Sequence, residues 1–122
     1  MSASILLVDD DAWQLGIYER AVAKAGYAHR SAQNPAEAIA HIQQKIPDAI
    51  VLDVLLEGNT AFVLLNELRS DAELANIPVI LATNLADDLR LRDLEPYGVR
   101  RIINKMTAHP SDIAAAVKAV LL

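Results

Sequence analysis

The sequence predicts an α/β fold, in which a mostly parallel sheet is covered by helices on both faces. Strand patterns alternate along the chain with helical patterns, and this alternation is typical of βαβ units. Two of the strand patterns end in carboxylates: Ile5-Leu6-Leu7-Val8 is followed by Asp9-Asp10-Asp11, and Ala49-Ile50-Val51-Leu52 is followed by Asp53. Ligands of open α/β sheets bind outside the carboxyl ends of the strands, so we expect these acids to meet in one crevice.

Most of the predicted strands are short apolar runs bounded by turn residues. The first and third runs are the strongest, the second is weak and the fifth is mixed. Pro78 stands at the start of the fourth, where a missing N–H is tolerated. In chain order the five strands are Ser4–Val8, Ala28–Ala32, Ala49–Leu52, Ile77–Ala82 and Val99–Ile103.

Apolar residues at helical spacing fill the segments between the strands. The first helix covers Ala12–Ala25, and Gly26 ends it. Asn34 and Pro35 begin the second helix, as its N-cap and its first residue. The other predicted helices begin after Thr60, cover Leu85–Leu94, and cover Pro110–Leu122.

Composition limits the classes of function. The chain has 122 residues, enough for one domain, and 53% of them are hydrophobic, which argues against disorder. A net charge of -5 leaves no footprint for nucleic acid and no basic patch for a membrane. Cysteine is absent, and Met1-Ser2-Ala3-Ser4 leaves no room for a signal peptide. We therefore expect one soluble, cytoplasmic domain over residues 1–122.

The acids and two later residues suggest a specific chemistry. Taken alone, the aspartates after the first strand could simply cap a helix, Thr83 could cap the next one, and Lys105 could be a solvated lysine. Together they fall at the carboxyl ends of strands, on one edge of the sheet. Carboxylates can hold a hard cation such as Mg²⁺, and a hydroxyl and an ammonium can contact a phosphoryl group. Phosphoryl transfer needs mainly such positioning and charge neutralisation.

These residues resemble the receiver domain of two-component response regulators, with a match in order and spacing over essentially the whole chain. The resemblance rests on four motifs: Ile5-Leu6-Leu7-Val8-Asp9-Asp10, Ile50-Val51-Leu52-Asp53, Ile80-Leu81-Ala82-Thr83, and Lys105. It implies a doubly wound, five-stranded parallel sheet in the flavodoxin-like order 2-1-3-4-5.

The resemblance also implies a role for each site residue. Asp53 would be the phosphoacceptor and, with Asp9, Asp10 and the backbone carbonyl of Leu55, a ligand of Mg²⁺. Thr83 and Lys105 would contact the phosphoryl oxygens, and Thr83 and the residue at position 102 would form the switch region. The positions that tune access of water to the phosphoryl group would be Leu55, Asn84 and Leu85.

The chain departs from the common receiver pattern at four positions. Glu57 stands where proline is common, Ala61 where glycine is common, and Met106 where proline follows the lysine. Ile102 replaces the usual aromatic switch residue, so the familiar rotation of an aromatic ring is not available. None of the four changes removes a metal ligand or the acceptor.

The leading hypothesis is a stand-alone, phosphorylation-dependent signalling switch. A histidine kinase or histidine phosphotransfer protein would donate the phosphoryl group, and an unknown downstream protein would read it. Such a domain assists its own phosphorylation and dephosphorylation but is not an enzyme in the usual sense. The main alternative is a pseudo-receiver that binds a partner without phosphate. A phosphohydrolase with an aspartyl nucleophile is disfavoured, because Leu55 stands where such enzymes need a second acid.

Overall fold

The computed structural model describes residues 3–56 and 59–122, with the backbone only at Leu55–Leu56 and Asn59–Thr60. The strands are β1 (Ser4–Val8), β2 (Ala28–Ala32), β3 (Ala49–Leu52), β4 (Leu55–Leu56), β5 (Asn59–Thr60), β6 (Val79–Thr83) and β7 (Val99–Asn104). The helices are α1 (Ala12–Lys24), α2 (Pro35–Gln44), α3 (Ala61–Arg69), α4 (Leu91–Leu94) and α5 (Pro110–Leu121). Short 3₁₀ turns cover Leu74–Asn76, Ala86–Asp88 and Glu95–Tyr97.

Within these ranges the main sheet has five parallel strands in the order β2-β1-β3-β6-β7. When the strands of this sheet alone are numbered, the order is 2-1-3-4-5, so the predicted fold class is confirmed. The strands β4 and β5 form a separate, two-residue antiparallel pair just before α3. β1 and β3 are neighbours at the centre, which places the ends of the two acid-tipped strands side by side.

Alternating side chains of the sheet divide the core into two layers. Leu6, Val8, Ile50 and Leu52 face the layer covered by α2 and α3. Ile5, Leu7, Val51 and Ile80 face the other layer, covered by α1 and α5. All eight of these side chains are fully buried. Helices on both faces are therefore confirmed, and burial on both sides explains why the central strands are continuous apolar runs.

Local signals set several element boundaries. The Asn34 side chain accepts a hydrogen bond from the backbone N–H of Glu37, 2.9 Å away, which confirms the predicted N-cap of α2. Gly98 ends the Glu95–Tyr97 turn with a φ of 88°, and a Cβ there would lie 3.4 Å from the carbonyl oxygen of Ile77. Glycine is favoured at such a left-handed position, since it has no Cβ to clash with the backbone.

The prediction of one helix over Leu85–Leu94 is wrong. A 3₁₀ turn covers Ala86–Asp88, the backbone is extended at Leu89 and Arg90, and α4 is only four residues long. Leu89 and Leu91 both pack against the core, while Arg90 between them is exposed. Residues two apart do not share a helix face, but they do share a side of an extended chain. Extended backbone here lets both leucines reach the core.

Within residues 3–56 and 59–122, no helix combines the length and the apolar character that crossing a membrane requires.

Candidate functional site

The backbone places three site residues directly beyond the strand ends. The N–H of Asp9 donates to the carbonyl of Ala32 on β2 (3.1 Å), and the N–H of Asp53 donates to the carbonyl of Val8 on β1 (3.0 Å). The N–H of Lys105 donates to the carbonyl of Thr83 on β6 (3.1 Å). Each residue thus extends a ladder by one hydrogen bond, which holds its side chain at the carboxyl edge of the sheet.

The carboxylates of Asp9, Asp10 and Asp53 converge at this edge. One oxygen from each lies within 4.8 Å of the other two. Asp9 is completely buried, Asp53 is 9% exposed, and Asp10 faces solvent. Three oxygens at this separation fit a hard divalent cation such as Mg²⁺, which binds oxygen ligands and keeps part of its water shell. The predicted clustering of these acids is therefore confirmed as geometry.

Lys105 places a positive charge inside the cluster. Its Nζ lies 2.7 Å from Oδ2 of Asp9 and 3.1 Å from Oδ2 of Asp53, and its side chain is 10% exposed. Burial alone would lower the pKa of Lys105, but its hydrogen bond to Asp9 and the charges of Asp9 and Asp53 raise it overall. The ammonium therefore stays protonated and partly balances the two carboxylates. The contact with Asp9 was not predicted from the sequence.

Burial makes the ionised form of Asp9 unfavourable. Desolvation by burial raises the pKa of its carboxyl, although hydrogen bonds from Lys105 and from the backbone of Asp11 work in the opposite direction. Oδ1 accepts a hydrogen bond from the backbone N–H of Asp11 at 3.0 Å, while Oδ2 accepts one from the ammonium of Lys105. Both oxygens of Asp9 are thus engaged inside the protein, and the charge is held in place by hydrogen bonds rather than by water.

Asp11 plays the structural role that its position suggested. Its side chain accepts hydrogen bonds from the backbone N–H groups of Trp13 (2.9 Å) and Gln14 (3.4 Å), so it is the N-cap of α1. In the described residues, the group that could hold a metal comprises the other two acids of the triplet and Asp53. The triplet therefore divides between a helix cap and the acidic cluster.

Thr83 ends β6 and is buried, with 1% of its surface exposed. Its Oγ1 accepts the backbone N–H of Leu85 at 3.1 Å, as expected for a residue that also caps the following turn. Asn84 is exposed, and Leu85 is half-buried against the α2 and α3 layer of the core. Leu85 thus has a packing role besides the predicted role in tuning the access of water.

The other predicted positions are spread around the site. Ile102 is half-buried on β7 and packs against the core, whereas Met106 is 77% exposed. The backbone of Leu55 begins β4, two residues after Asp53, but its side chain lies outside the described part of the chain. Glu57, one of the four departures from the common receiver pattern, lies outside it as well.

Tyr18 lies near the acidic cluster, although the sequence predicts for it only a place on the apolar face of the first helix. It is 3% exposed on α1, and burial, followed by the charges of Asp9 and Asp53, raises the pKa of its hydroxyl well above the ordinary value. One signal in the sequence could have indicated a role for its hydroxyl: a tyrosine stands on an apolar helix face where a leucine would also fit. It did not indicate how near the hydroxyl lies to the acids.

The fold and the acidic edge define a doubly wound α/β domain with three converging carboxylates at the carboxyl ends of its strands. A family model for the response regulator receiver domain matches residues 5–118, so the chain belongs to the receiver domain family of two-component systems. Receiver domains are phosphoacceptor signalling domains that act with kinases and downstream effectors, and the family implies phosphorylation-dependent signalling. The acidic cluster fits both Mg²⁺ and phosphorylation.

Individual relatives agree with this assignment. The chain is 34% identical over 119 residues to the phosphate regulon transcriptional regulatory protein PhoB of Pseudomonas aeruginosa, an alignment that covers 97% of this chain and 51% of PhoB. It is 32% identical over 81 residues to the protein PilH of the same organism, covering 66% of this chain and 67% of PilH.

A solved structure of a putative response regulator from Chloroflexus aurantiacus has a TM-score of 0.84 and 27% identity, and the match covers 99% of this chain and 98% of that one. The alignments cover about half of PhoB (51%) and of the probable transcriptional regulator ycf27 of Guillardia theta (44%), so the chain spans about half the length of these curated relatives.

Proposed function

We propose that this receiver domain, over residues 1–122, is a switch that accepts a phosphoryl group on Asp53 from a phosphohistidine and then regulates a protein partner. The donor would be a histidine kinase or a histidine phosphotransfer protein. The observation that carries the proposal is the ammonium of Lys105, which lies 3.1 Å from Oδ2 of Asp53 within a cluster of three carboxylates. A positive charge at the acceptor oxygen is what an incoming phosphoryl group requires.

Burial and bonding favour Asp53 over its neighbours as the acceptor. Asp9 is fully buried, with one oxygen bound to Lys105 and the other to the backbone of Asp11. Asp10 is exposed, and no contact to Lys105 is found for it in the described part of the chain. Asp53 is partly accessible and is bound by the ammonium, so it alone combines a path for the donor with charge neutralisation.

The cation site would be made by Asp9, Asp10, Asp53 and the backbone carbonyl of Leu55. The observed convergence of three carboxylate oxygens supports the first three ligands. When bound, Mg²⁺ would supply neutralisation of charge on the phosphoryl oxygens. The other contacts to the phosphoryl group would come from side chains of the protein.

In the transfer, one oxygen of Asp53 forms a bond to phosphorus while the bond from phosphorus to the histidine nitrogen of the donor breaks. The nitrogen keeps the electron pair, and the product is an aspartyl phosphate. The ammonium of Lys105 and the hydroxyl of Thr83 would donate hydrogen bonds to the phosphoryl oxygens as charge develops there. Thr83 can do so without giving up its contact with Leu85, because that contact uses Oγ1 as an acceptor.

The output would be carried by the segment that follows Thr83. This residue is the proposed phosphoryl contact, and it is joined through Leu85 to the 3₁₀ turn and α4 beyond. A hydroxyl drawn toward the phosphoryl group would shift these residues and alter the surface offered to a downstream protein.

Intact-mass measurement after incubation with an acyl phosphate and Mg²⁺ tests the proposal. The wild-type protein should gain the mass of one phosphoryl group, and Asp53→Asn should gain none. Asp11→Asn is a matched control, since asparagine is an equally good N-cap and this carboxylate lies outside the cluster. Labelling of Asp53→Asn at the wild-type rate would overturn the assignment. A wild-type protein that takes no phosphate from any donor would favour the pseudo-receiver alternative instead.

A further inference from the structure

The hydroxyl of Tyr18 is buried, and the proposed function gives it no role. The side chain is 3% exposed, and among the described residues the hydroxyl has no hydrogen-bond partner. An unpaired buried hydroxyl costs free energy that a phenylalanine in the same place would avoid. Burial and the nearby charges of Asp9 and Asp53 keep it protonated by raising its pKa. The side chain of Gln14 lies near enough to lower that pKa in part, but it makes no contact with hydrogen-bond geometry to the hydroxyl. The group is thus neutral, and its oxygen can accept a hydrogen bond.

Tyr18 and Lys105 line the same cavity. The cavity has a volume of about 180 Å³ and lies between α1 and the segment that leads from β7 into α5, with Gln14 and His109 also in its wall. The side chain of Lys105 therefore has room on the side of Tyr18 as well as its present contacts with Asp9 and Asp53. A lysine ammonium has three donors and no acceptor, so each of its positions needs oxygen partners.

A divalent cation in the acidic cluster would disturb the present position of Lys105. The ammonium lies 2.7 Å from Oδ2 of Asp9, and the other oxygen of that carboxylate already accepts the N–H of Asp11. A cation bound by Asp9 would therefore compete with Lys105 for Oδ2 and would also repel its positive charge. Lys105 should then keep Asp53 but lose Asp9.

We propose that the hydroxyl oxygen of Tyr18 is the second acceptor for the ammonium of Lys105, used when a cation occupies Asp9. In the metal-free protein Lys105 bridges Asp9 and Asp53. In the cation-bound protein it bridges Asp53 and Tyr18, and the buried hydroxyl becomes paired. Tyr18 is then a positioning residue, which acts through Lys105 on the metal and the acceptor. This inference rests on the cation site of the proposed function.

Calorimetric titration of Tyr18→Phe with Mg²⁺, together with its melting temperature, tests the proposal. Without metal, the variant should melt at the wild-type temperature or above it, because an unpaired hydroxyl has been removed. Its affinity for Mg²⁺ should fall about tenfold, as expected for the loss of one charge-assisted hydrogen bond in the bound state alone. Tyr27→Phe is the matched control, since Tyr27 is half-buried against the same core layer, and its affinity should not change.

A second background separates action through Lys105 from direct action on the site. Lys105→Met removes the competing ammonium and should tighten binding of Mg²⁺, and in this background Tyr18→Phe should have no further effect. An equal loss of affinity in both backgrounds would overturn the proposal, because the hydroxyl would then act without the lysine. An unchanged affinity of the single variant Tyr18→Phe for Mg²⁺ would also overturn the proposal, but it would leave the proposed function intact. A wild-type protein that binds no Mg²⁺ would overturn both the cation site and this inference.

Discussion

Asp9 is the residue at which the needs of the site conflict with those of folding. Its carboxyl is completely buried, and burial raises its pKa even though Lys105 and the backbone of Asp11 donate hydrogen bonds to it. A group whose pKa is raised by folding contributes most to stability when it is protonated. This contribution is lost as the pH rises through the pKa of the group in the folded protein. At neutral pH the ionised Asp9 therefore lowers the stability of the metal-free protein.

Replacing Asp9 by asparagine should stabilise the metal-free protein. The amide oxygen can still accept a hydrogen bond from Lys105 or Asp11, and position 9 no longer carries a buried charge. We expect an increase in the free energy of unfolding of about 1 kcal/mol at neutral pH, or about 3–6 °C in Tm. The advantage should shrink as the pH falls toward 3.8, the ordinary pKa, because wild-type Asp9 then becomes neutral too. Thermal melts of both proteins across this range, without metal, would measure it. An Asp9→Asn protein that melts below wild type at neutral pH would contradict the argument.

Two leucines are predicted to prolong the phosphorylated state. The positions two residues after Asp53 and two after Thr83 flank the line along which water attacks the phosphorus in the family, and here they are Leu55 and Leu85. Neither can orient water by a hydrogen bond, and Asn84 is larger than the small residues common at its position. The observed packing of Leu85 against the core gives it a structural role as well.

The double variant Leu55→Asn with Leu85→Glu should therefore release phosphate faster than wild type. Each tenfold gain in rate corresponds to a barrier lower by about 1.4 kcal/mol. The measurement is loss of the phosphoryl group after the donor is removed, at constant Mg²⁺. A melting curve of the double variant must accompany it, since glutamate replaces a half-buried leucine. A folded double variant with the wild-type rate would rule out the idea of an apolar gate.

At the scale of elements, the segment between β6 and β7 differs most from the rest of the fold. It consists of a 3₁₀ turn, two extended residues, a four-residue α4 and a second 3₁₀ turn, and the buried side chain of α4 is Leu94. Its backbone hydrogen bonds are those of short turns rather than of a long helix or a strand ladder, and segments with few regular hydrogen bonds lie at the low-stability end of a protein. The neighbouring β7 is held along its length by β6.

Phosphorylation should accordingly change amide exchange in the Thr83–Leu94 segment and leave β7 nearly unchanged. Ile102 has no ring to rotate between a buried and an exposed position, and it is already packed against the core. Hydrogen–deuterium exchange of the phosphorylated and unphosphorylated protein, compared at equal Mg²⁺, would show the difference. Protection changes confined to Val99–Asn104 would contradict this prediction.

The same comparison of elements shows what could be predicted from the sequence. Every strand of the main sheet was found to within two residues, because continuous apolar runs have few alternatives to a buried strand. The segment Leu85–Leu94 is not the single helix that the sequence predicts, because Leu89 and Leu91 reach the core from an extended backbone and the sequence pattern does not reveal this. The carboxylates at the strand ends followed from topology. The ion pair between Lys105 and Asp9 and the proximity of Tyr18 did not, because they depend on side-chain reach and on packing across layers.

At the scale of the whole molecule, the acidic cluster makes stability depend on cations. Anything that binds the folded state alone stabilises it, and three converging carboxylates exist only in the folded state. Lys105 already offsets part of the repulsion between them. A bound cation would offset more of it, so we expect the metal-free protein to be less stable than the cation-bound protein.

Mg²⁺ should therefore raise the melting temperature. At ten times its dissociation constant it should add about 1.4 kcal/mol to the free energy of unfolding. Asp10→Asn should reduce this increase greatly, since it removes the exposed ligand while leaving the buried pairs of Lys105 in place. Sodium chloride at matched ionic strength is the control for general screening. A melting temperature that does not respond to millimolar Mg²⁺ would indicate that no cation site exists.

The contact between Lys105 and Asp9 joins residues that are 96 positions apart in the chain. A protein is synthesised from its N-terminus, so all three acids of the cluster leave the ribosome well before the lysine that balances them. Until β7 has added to the edge of β6, the growing chain cannot form the pocket that contains both charges. A partner that recognises the assembled pocket thereby distinguishes finished molecules from nascent or truncated ones, without any separate step of quality control.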